Sequence, residues 1–600
     1  MRRTARAEHV GKGPRMSSRR VSSGIVLALA FAAPIGAQKI PVAEKTLSNG
    51  MHLLIVHREG EATVAGGWVA HVGSSNERPG ITGISHLFEH MMFKGTPTIG
   101  TKDYRKDLAV IGEQELVREE MRQEEAKMRA AYRRGEIDDL LKPENKTSHY
   151  RELEKKFDEL IRKQREVLVK NEFDRIYTTA GGSGMNAFTN EDMTGYFVTV
   201  PSNKLELWMW MESDRLFHPV FREFYAERDV VFEERRMRTE ATPLGKFEES
   251  FESLFWESHP YGWPVVGWPS DIPAITKAEA DAYYGTYYAP QNITLILVGD
   301  VDVEKTARMA ERYFGRIPRG KAAVPDVVTL EVPQQAEKRM YAEAEANPQV
   351  DILWHTVPFG HVDSYPLQAL AQILSTRTGR LYKGLVLKSR VATDAFARQE
   401  SRKWAGLFNA GGEAKEGRRP EEVEQAVYAE IDRLKTTDVP AEELQKVKNN
   451  FAAAEYRRLS SNFPVLIQLI QSDGRGNWRE VNESGLKIQA VTAADVRRVA
   501  NRYFTKENRA VAIYTRKAGA AGGAEDPDLA GLDDRGKQMV RQLSQRLQSA
   551  DDPDKLRQML AQIESQAAGA PPEAKPAIEV VKKKIQRRID ELEKAKGKKG

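Results

Sequence analysis

The chain has 600 residues, 40% of them apolar, so it can fill full cores over several domains, and a small stapled scaffold is excluded. It contains no cysteine, which rules out disulfides, thiolate metal sites and a lipid-carrying cysteine, and leaves histidine and carboxylate to hold any metal. The formal charge of +5 is concentrated in the leader: residues 1–37 carry seven Lys or Arg against one Glu, so the remainder is near neutral and keeps no basic excess for nucleic acid.

In chain order, an arginine-rich stretch ending at Arg19 and Arg20 is followed by the apolar run Gly24 to Ile35 and then by Gly36 and Ala37, the pattern of a cleavable secretory signal over residues 1–37. This points to a periplasmic or secreted protein. A mitochondrial presequence is the competing reading, and the continuous apolar run argues against it. No later segment reaches the roughly 20 apolar residues of a membrane span, so the mature chain carries no transmembrane segment.

HLLIV from His52 reads as a strand, and Pro79 and Gly80 then precede a helix whose apolar positions are Ile81, Ile84, Leu87, Phe88, Met91 and Met92, with Gly95 as its stop. Within it, HLFEH places His86 and His90 four apart, with Glu89 directly before the second. At 100° per residue both imidazoles and the carboxylate share one sector of the helix, the outline of a zinc site with a base beside it. Residues 102–173 are highly charged, and Leu153, Phe157, Leu160, Ile161 and Leu168 follow a helical period, which predicts an inserted helical hairpin. GGSGMNAFTNEDMTGYFVTV from Gly181 contains a further strand, YFVTV, and YAERDVVFEERRMR places Glu227 and Glu234 seven apart on one helical face, with Glu233 a competing carboxylate.

Two later segments match each other. Thr276 to Asn292 and Thr492 to Asn508 each read as helix, loop and strand, with an aromatic pair before the loop and an Asn leading into the strand, as in a duplicated α/β unit. The halves would run from 38 to 318 and from 336 to 517, joined by a Pro- and Gly-containing linker at 319–335. The second half has DSYPLQALAQILS where the first has HLFEH, so only one half can hold metal. Beyond 517, a Gly- and Ala-rich linker leads through 518–600 to amphipathic helices marked by Ile578, Val581, Ile585 and Leu592.

With HLFEH, the glutamate pair and the NAFT strand in hand, the chain resembles the inverzincin metallopeptidases of the pitrilysin, insulinase and mitochondrial processing peptidase family, in its bacterial two-domain form. The resemblance implies an α+β fold of two homologous halves. Each is a mostly antiparallel sheet covered on one side by helices, and the halves face each other across a peptide-binding cavity. It implies one Zn2+ per chain held by His86, His90 and Glu234, with Glu227 supporting the site from behind and Glu89 as general base. It assigns Asn186 and Ala187 to a strand that pairs with extended peptide substrate, and it gives HPYGWPVVGW, from His259, a part in the fold.

The expected activity is zinc-dependent endopeptidase cleavage of extended or unfolded peptides. The alternative is a non-catalytic peptide-binding or assembly subunit of a hetero-oligomeric peptidase. One departure bears on the choice. In many relatives the second half carries an arginine and, seven residues on, a tyrosine that hold the substrate, and RLYKGLVLKSRVATDAF from Arg380 puts Val386 and Thr393 there. A paralogous subunit would supply the missing pair.

Overall fold

The computed structural model describes residues 39–140 and 142–517, two helices of the tail and single residues near them, so the expected export signal at 1–37 lies outside the described residues. The first sheet contains β1 (Val42–Thr46), β2 (His52–His57), β3 (Thr63–Ala70), β4 (Ser183–Thr189), β5 (Thr194–Pro201) and β6 (Ile293–Gly299), in the order β1-β2-β6-β3-β5-β4. The second contains β7 (Lys338–Ala344), β8 (Gln349–Thr356), β9 (Ala392–Ser401), β10 (Gly406–Ala414) and β11 (Arg509–Arg516), in the order β7-β11-β8-β10-β9.

The helices that bear on the site are α1 (Ile84–Met91), α2 (Tyr104–Arg133), α3 (Ser148–Val167), α4 (Phe224–Arg235), α5 (Gly245–Phe255), α6 (Lys277–Tyr287), α7 (Ser364–Leu374), α8 (Asn462–Gly474) and α9 (Ala493–Tyr503). In the tail, α10 (Pro553–Ala567) and α11 (Lys575–Gly597) pack on each other through Leu556, Val581 and Ile585.

The fold is α+β and duplicated. In each sheet the first strand of the repeat lies parallel to the last, β2 to β6 and β7 to β11, and every other pairing is antiparallel. The matching segments fold alike down to their hydrogen bonds. Thr276 caps α6 in a reciprocal box with Glu279, and Thr492 caps α9 in the same way with Asp495. Asn292 Nδ2 donates to the carbonyls of Tyr287 (2.8 Å) and His71 (3.3 Å), and Asn508 Nδ2 donates to those of Tyr503 (2.8 Å) and His355 (2.9 Å). Each Asn thus ties the end of its helix to the neighbouring strand.

HLLIV and ITLIL read as unbroken apolar runs because β2 and β6 are buried on both faces. Leu53, Ile55, Leu295 and Leu297 face the helices of their own half, whereas Leu54, Val56, Ile296 and Val298 pack on Val465, Leu466 and Leu469 of α8, which belongs to the other half. The exchange is mutual. Phe251 and Phe255 of α5, with Trp256 and Tyr261 just after it, cover Leu353, Ala510, Ala512 and Tyr514 of the second sheet. Helices of the same half therefore cover one face of each sheet, as expected, and a helix from the opposite half covers the other.

The stretch 102–173 forms the expected hairpin, α2 against α3, pinned internally by Gln164 Nε2 donating to Asp107 (2.9 Å) and by Gln114 Nε2 donating to Gln164 (3.1 Å). Among the described residues no helix is long and apolar enough to cross a membrane.

Candidate metal centre and peptide-binding edge

Helix α1 is held at both ends. Gly83, its N-cap, has φ of 91°, and a Cβ there would lie 2.4 Å from the Val266 carbonyl, so only glycine fits between α1 and the segment after His259. Glu77 accepts from the amides of Gly83 and Ser85, both at 2.8 Å, filling two of the donors a helix start leaves open. At the far end Tyr196 Oη donates to the Phe88 carbonyl (3.1 Å). The helix stops at Met91, four residues before Gly95, because Phe93 N and Lys94 N turn back to the carbonyls of His90 and Met91 in a tightened last turn.

The one-face geometry expected of HLFEH is present. His86 is buried, the rings of His86 and His90 meet edge to face at 4.9 Å, and α4 brings Glu234 against both. Glu234 Oε2 lies 3.3 Å from His90 Nε2 and 3.8 Å from His86 Nε2, and one ligand atom from each of the three residues falls within 4.8 Å of the others. Among the described residues this is the one such group of three or more. Glu233, the competing carboxylate, points outward, 60% exposed, and pairs with Arg236 at 2.8 Å. Glu227 lies behind the imidazole: His90 Nδ1 is 2.9 Å from its Oε1, and Lys94 pairs with its other oxygen.

The electrostatics suit a cation. Burial lowers the His86 imidazole to about 4, aided by its neighbour His90, so it is neutral with a free lone pair. Burial opposes charge on His90 too, but hydrogen bonds to Glu227 and Glu234 lift it to about 9. Without a metal ion, a proton on His90 meets the demand of two carboxylates for positive charge. Burial would raise Glu227, yet His90 and Lys94 hold it down at about 2. Two imidazoles and one carboxylate are the donor set of an open zinc site.

Glu89 projects beside the donors, and burial raises its carboxyl above the ordinary value. It lies on the wall between two cavities. One, of about 520 Å³, is bounded by His90, Lys94, Glu223 and Asn186, and the other, of about 510 Å³, by His86, Ala187, Glu248 and Trp263. Asn186 and Ala187 sit on β4, the edge strand of the first sheet, which pairs with β5 on one side. The structure thus gathers His86, Glu89, His90, Glu227, Glu234, Asn186 and Ala187 around one cleft.

Two participants escaped the sequence reading: Lys94 reaches Glu227, and Arg238 pairs with Glu234 Oε1 at 2.7 Å, whereas Trp263 and Val266, which line the second cavity, fall in the HPYGWPVVGW segment assigned to the fold. Only Lys94 left a signal, standing four residues after His90 on the same side of the turn.

Comparison with known proteins agrees with this architecture. Residues 53–117 match the family model described as "Insulinase (Peptidase family M16)", and residues 274–451 match the one described as "Peptidase M16 inactive domain". The chain is 26% identical over 509 residues to the zinc protease PqqE of Helicobacter pylori, covering 82% of this chain and 97% of that protein. Among solved structures, a protease from Helicobacter pylori superposes with a TM-score of 0.64 at 22% identity, over 79% of this chain and 99% of the other. The first half of the periplasmic protease PqqL from Escherichia coli gives 0.57 at 16% identity, over 80% and 93%. At such identities the structural likeness speaks for the fold alone. Taken with the two family models and the PqqE relative, it makes this chain a member of the pitrilysin/insulinase (M16) family.

Proposed function

We propose that the chain is a zinc endopeptidase acting on extended or unfolded peptides, with His86, His90 and Glu234 as ligands to one zinc ion and Glu89 as general base. The observation that carries this is the convergence of three ligand atoms within 4.8 Å beside an edge strand, with a partly buried carboxylate between two cavities. Zinc bound there would polarise the scissile carbonyl and bring water near pKa 7, from about 9 on the aqueous ion.

The chain's own residues do the rest. Glu89 takes the proton of the attacking water at a carboxylate oxygen and hands it to the leaving amine, a task helped by a carboxyl raised toward working pH. Glu227 holds His90 through Nδ1, so that Nε2 is the nitrogen left for metal. The unpaired side of β4 at Asn186 and Ala187 takes the peptide as an added strand, and its side chains enter the cavities on either side of Glu89.

A specific observation supports a second component. Val386 is partly buried against the second core, and Thr393 Oγ1 is spent on Glu413 (2.8 Å), so neither offers a charge to the reacting carbonyl. We infer that a paralogous subunit supplies an arginine and tyrosine, and that the chain works in the periplasm or outside the cell. The alternative, an assembly subunit without activity, is favoured by the same two vacated positions and opposed by the intact metal constellation.

The test is metal analysis and peptide cleavage of the wild type beside Glu89→Gln, with and without proteins that co-purify from the source cell. About one zinc per chain is expected in both, from the open-site donor set, with cleavage only by the wild type and strongest with the partner. Equal cleavage by both would reject Glu89 as base, and a folded wild type that takes up no zinc would reject the enzyme reading.

A further inference from the structure

The inserted hairpin supplies no candidate ligand to the metal site, yet it encloses a large cavity of its own. Between α2, α3, α4 and the loop at Pro269 to Ala274 lies a space of about 1010 Å³, at the upper end of the range for small-molecule sites. Met121, Met128, Phe157 and Phe232 give it an apolar lining. Arg118 and Arg228 stand among them, 5% and 6% exposed, each stacking its guanidinium 5.0 Å from the ring of Tyr225.

These two cations are incompletely matched. Arg118 pairs with Glu125 at 3.2 Å, and Glu125 also accepts from Tyr150 Oη. Arg228 donates to the Ile275 carbonyl (3.2 Å), and the nearest carboxylate paired with it, Asp229 at 3.9 Å, is 74% exposed. The Nε of both arginines is buried without a hydrogen-bond partner. At the rim the charges compensate one another, as in Lys146 with Glu154 at 2.6 Å. The interior therefore holds two buried guanidinium groups, and the carboxylate paired with one of them, Glu125, is itself 21% exposed; a buried charge calls for a partner.

We propose that this cavity binds an amphiphilic carboxylate, its head group on Arg118 and Arg228 and its hydrocarbon tail along Met121, Met128 and Phe157. A single anion would balance the excess, the planar guanidinium fork suits a carboxylate, and the apolar wall accounts for the rest of the ligand. The site is distinct from the metal cleft, although α4, which forms one of its walls, also carries Glu227 and Glu234.

The experiment titrates the full chain with dodecanoate below its micellar concentration, by calorimetry and by thermal shift. One dodecanoate per chain and a raised Tm are expected, with dodecanol, which is uncharged, and dodecyltrimethylammonium, which carries the opposite charge, at least about tenfold weaker, a difference of about 1.4 kcal/mol. Arg228→Gln should weaken dodecanoate by a similar factor. Ile161→Trp adds bulk to the cavity wall without touching a charge and should weaken binding, which keeps the test sound if the arginine variant folds poorly. Absence of binding, equal binding of dodecanol, or undiminished binding to folded Ile161→Trp overturns the proposal.

Discussion

Glu227 stands 2.9 Å from Nδ1 of His90, and that contact settles which face of the imidazole is spoken for. With Nδ1 engaged, Nε2 faces Glu234 and the His86 ring. The support is itself supported, since Lys94 pairs with the second oxygen of Glu227.

Removing that support should loosen the metal without removing it. Glu227→Ala is expected to weaken zinc about 10- to 100-fold, as loss of an outer partner to a ligating histidine does. Competition with a chromogenic chelator measures this, and an unchanged affinity would show that Glu227 serves the fold alone.

The free side of β4 can be tested apart from catalysis. Ala187 N donates to Asn186 Oδ1 at 2.9 Å, a local bond that a substrate carbonyl could replace. Ala187→Pro removes the donor at an edge position where proline is tolerated. Built into the Glu89→Gln protein, it should weaken binding of an extended peptide about tenfold, the worth of one good hydrogen bond. Fluorescence anisotropy with a labelled peptide reads the difference, and equal affinity would place the peptide elsewhere.

The exchange of helices between halves predicts that they unfold together. Phe255 is fully buried and stacks on His355 of the second half with ring centroids 3.8 Å apart. Phe255→Ala should cost about 3–5 kcal/mol through lost burial and the cavity left behind. Denaturant unfolding followed by fluorescence and by circular dichroism should give one coincident, shifted transition. Two separated transitions would mean that the halves are energetically independent.

Glu77 predicts a pH dependence. Burial pushes its carboxyl up to about 8 from an ordinary value of 4.5, and the amides of Ser85 and Gly83 offset only part of the rise. The folded state therefore binds this proton more tightly than the unfolded chain. The associated stability is complete below about pH 4.5, declines as pH rises, and is gone above about 8. Melting temperatures of wild type and Glu77→Gln should diverge across that window, the wild type losing more, and parallel curves would count against a neutral Glu77.

Much of the site was legible in the residues. Four-residue spacing on a helix is a local matter, so HLFEH by itself places His86, Glu89 and His90 on one face, and short apolar runs and a period of 3.6 marked the sheet strands and the hairpin. The repeated Thr cap and Asn anchor announced the duplication, because capping and turn chemistry act over a few residues and leave their mark in sequence. What crosses the chain was not legible from local pattern. Spacing to Glu227 and the family resemblance favour Glu234 over Glu233, but that it meets the histidines depends on the rotation of α4 against α1, which packing sets. The same holds for α8 lying on the first sheet and α5 on the second: both faces of β2 and β6 had to be buried, but an apolar run does not say by what. Local periodicity determined the elements and the shared face of His86, Glu89 and His90, and only long-range packing decided which distant carboxylate, helix and loop came to complete them.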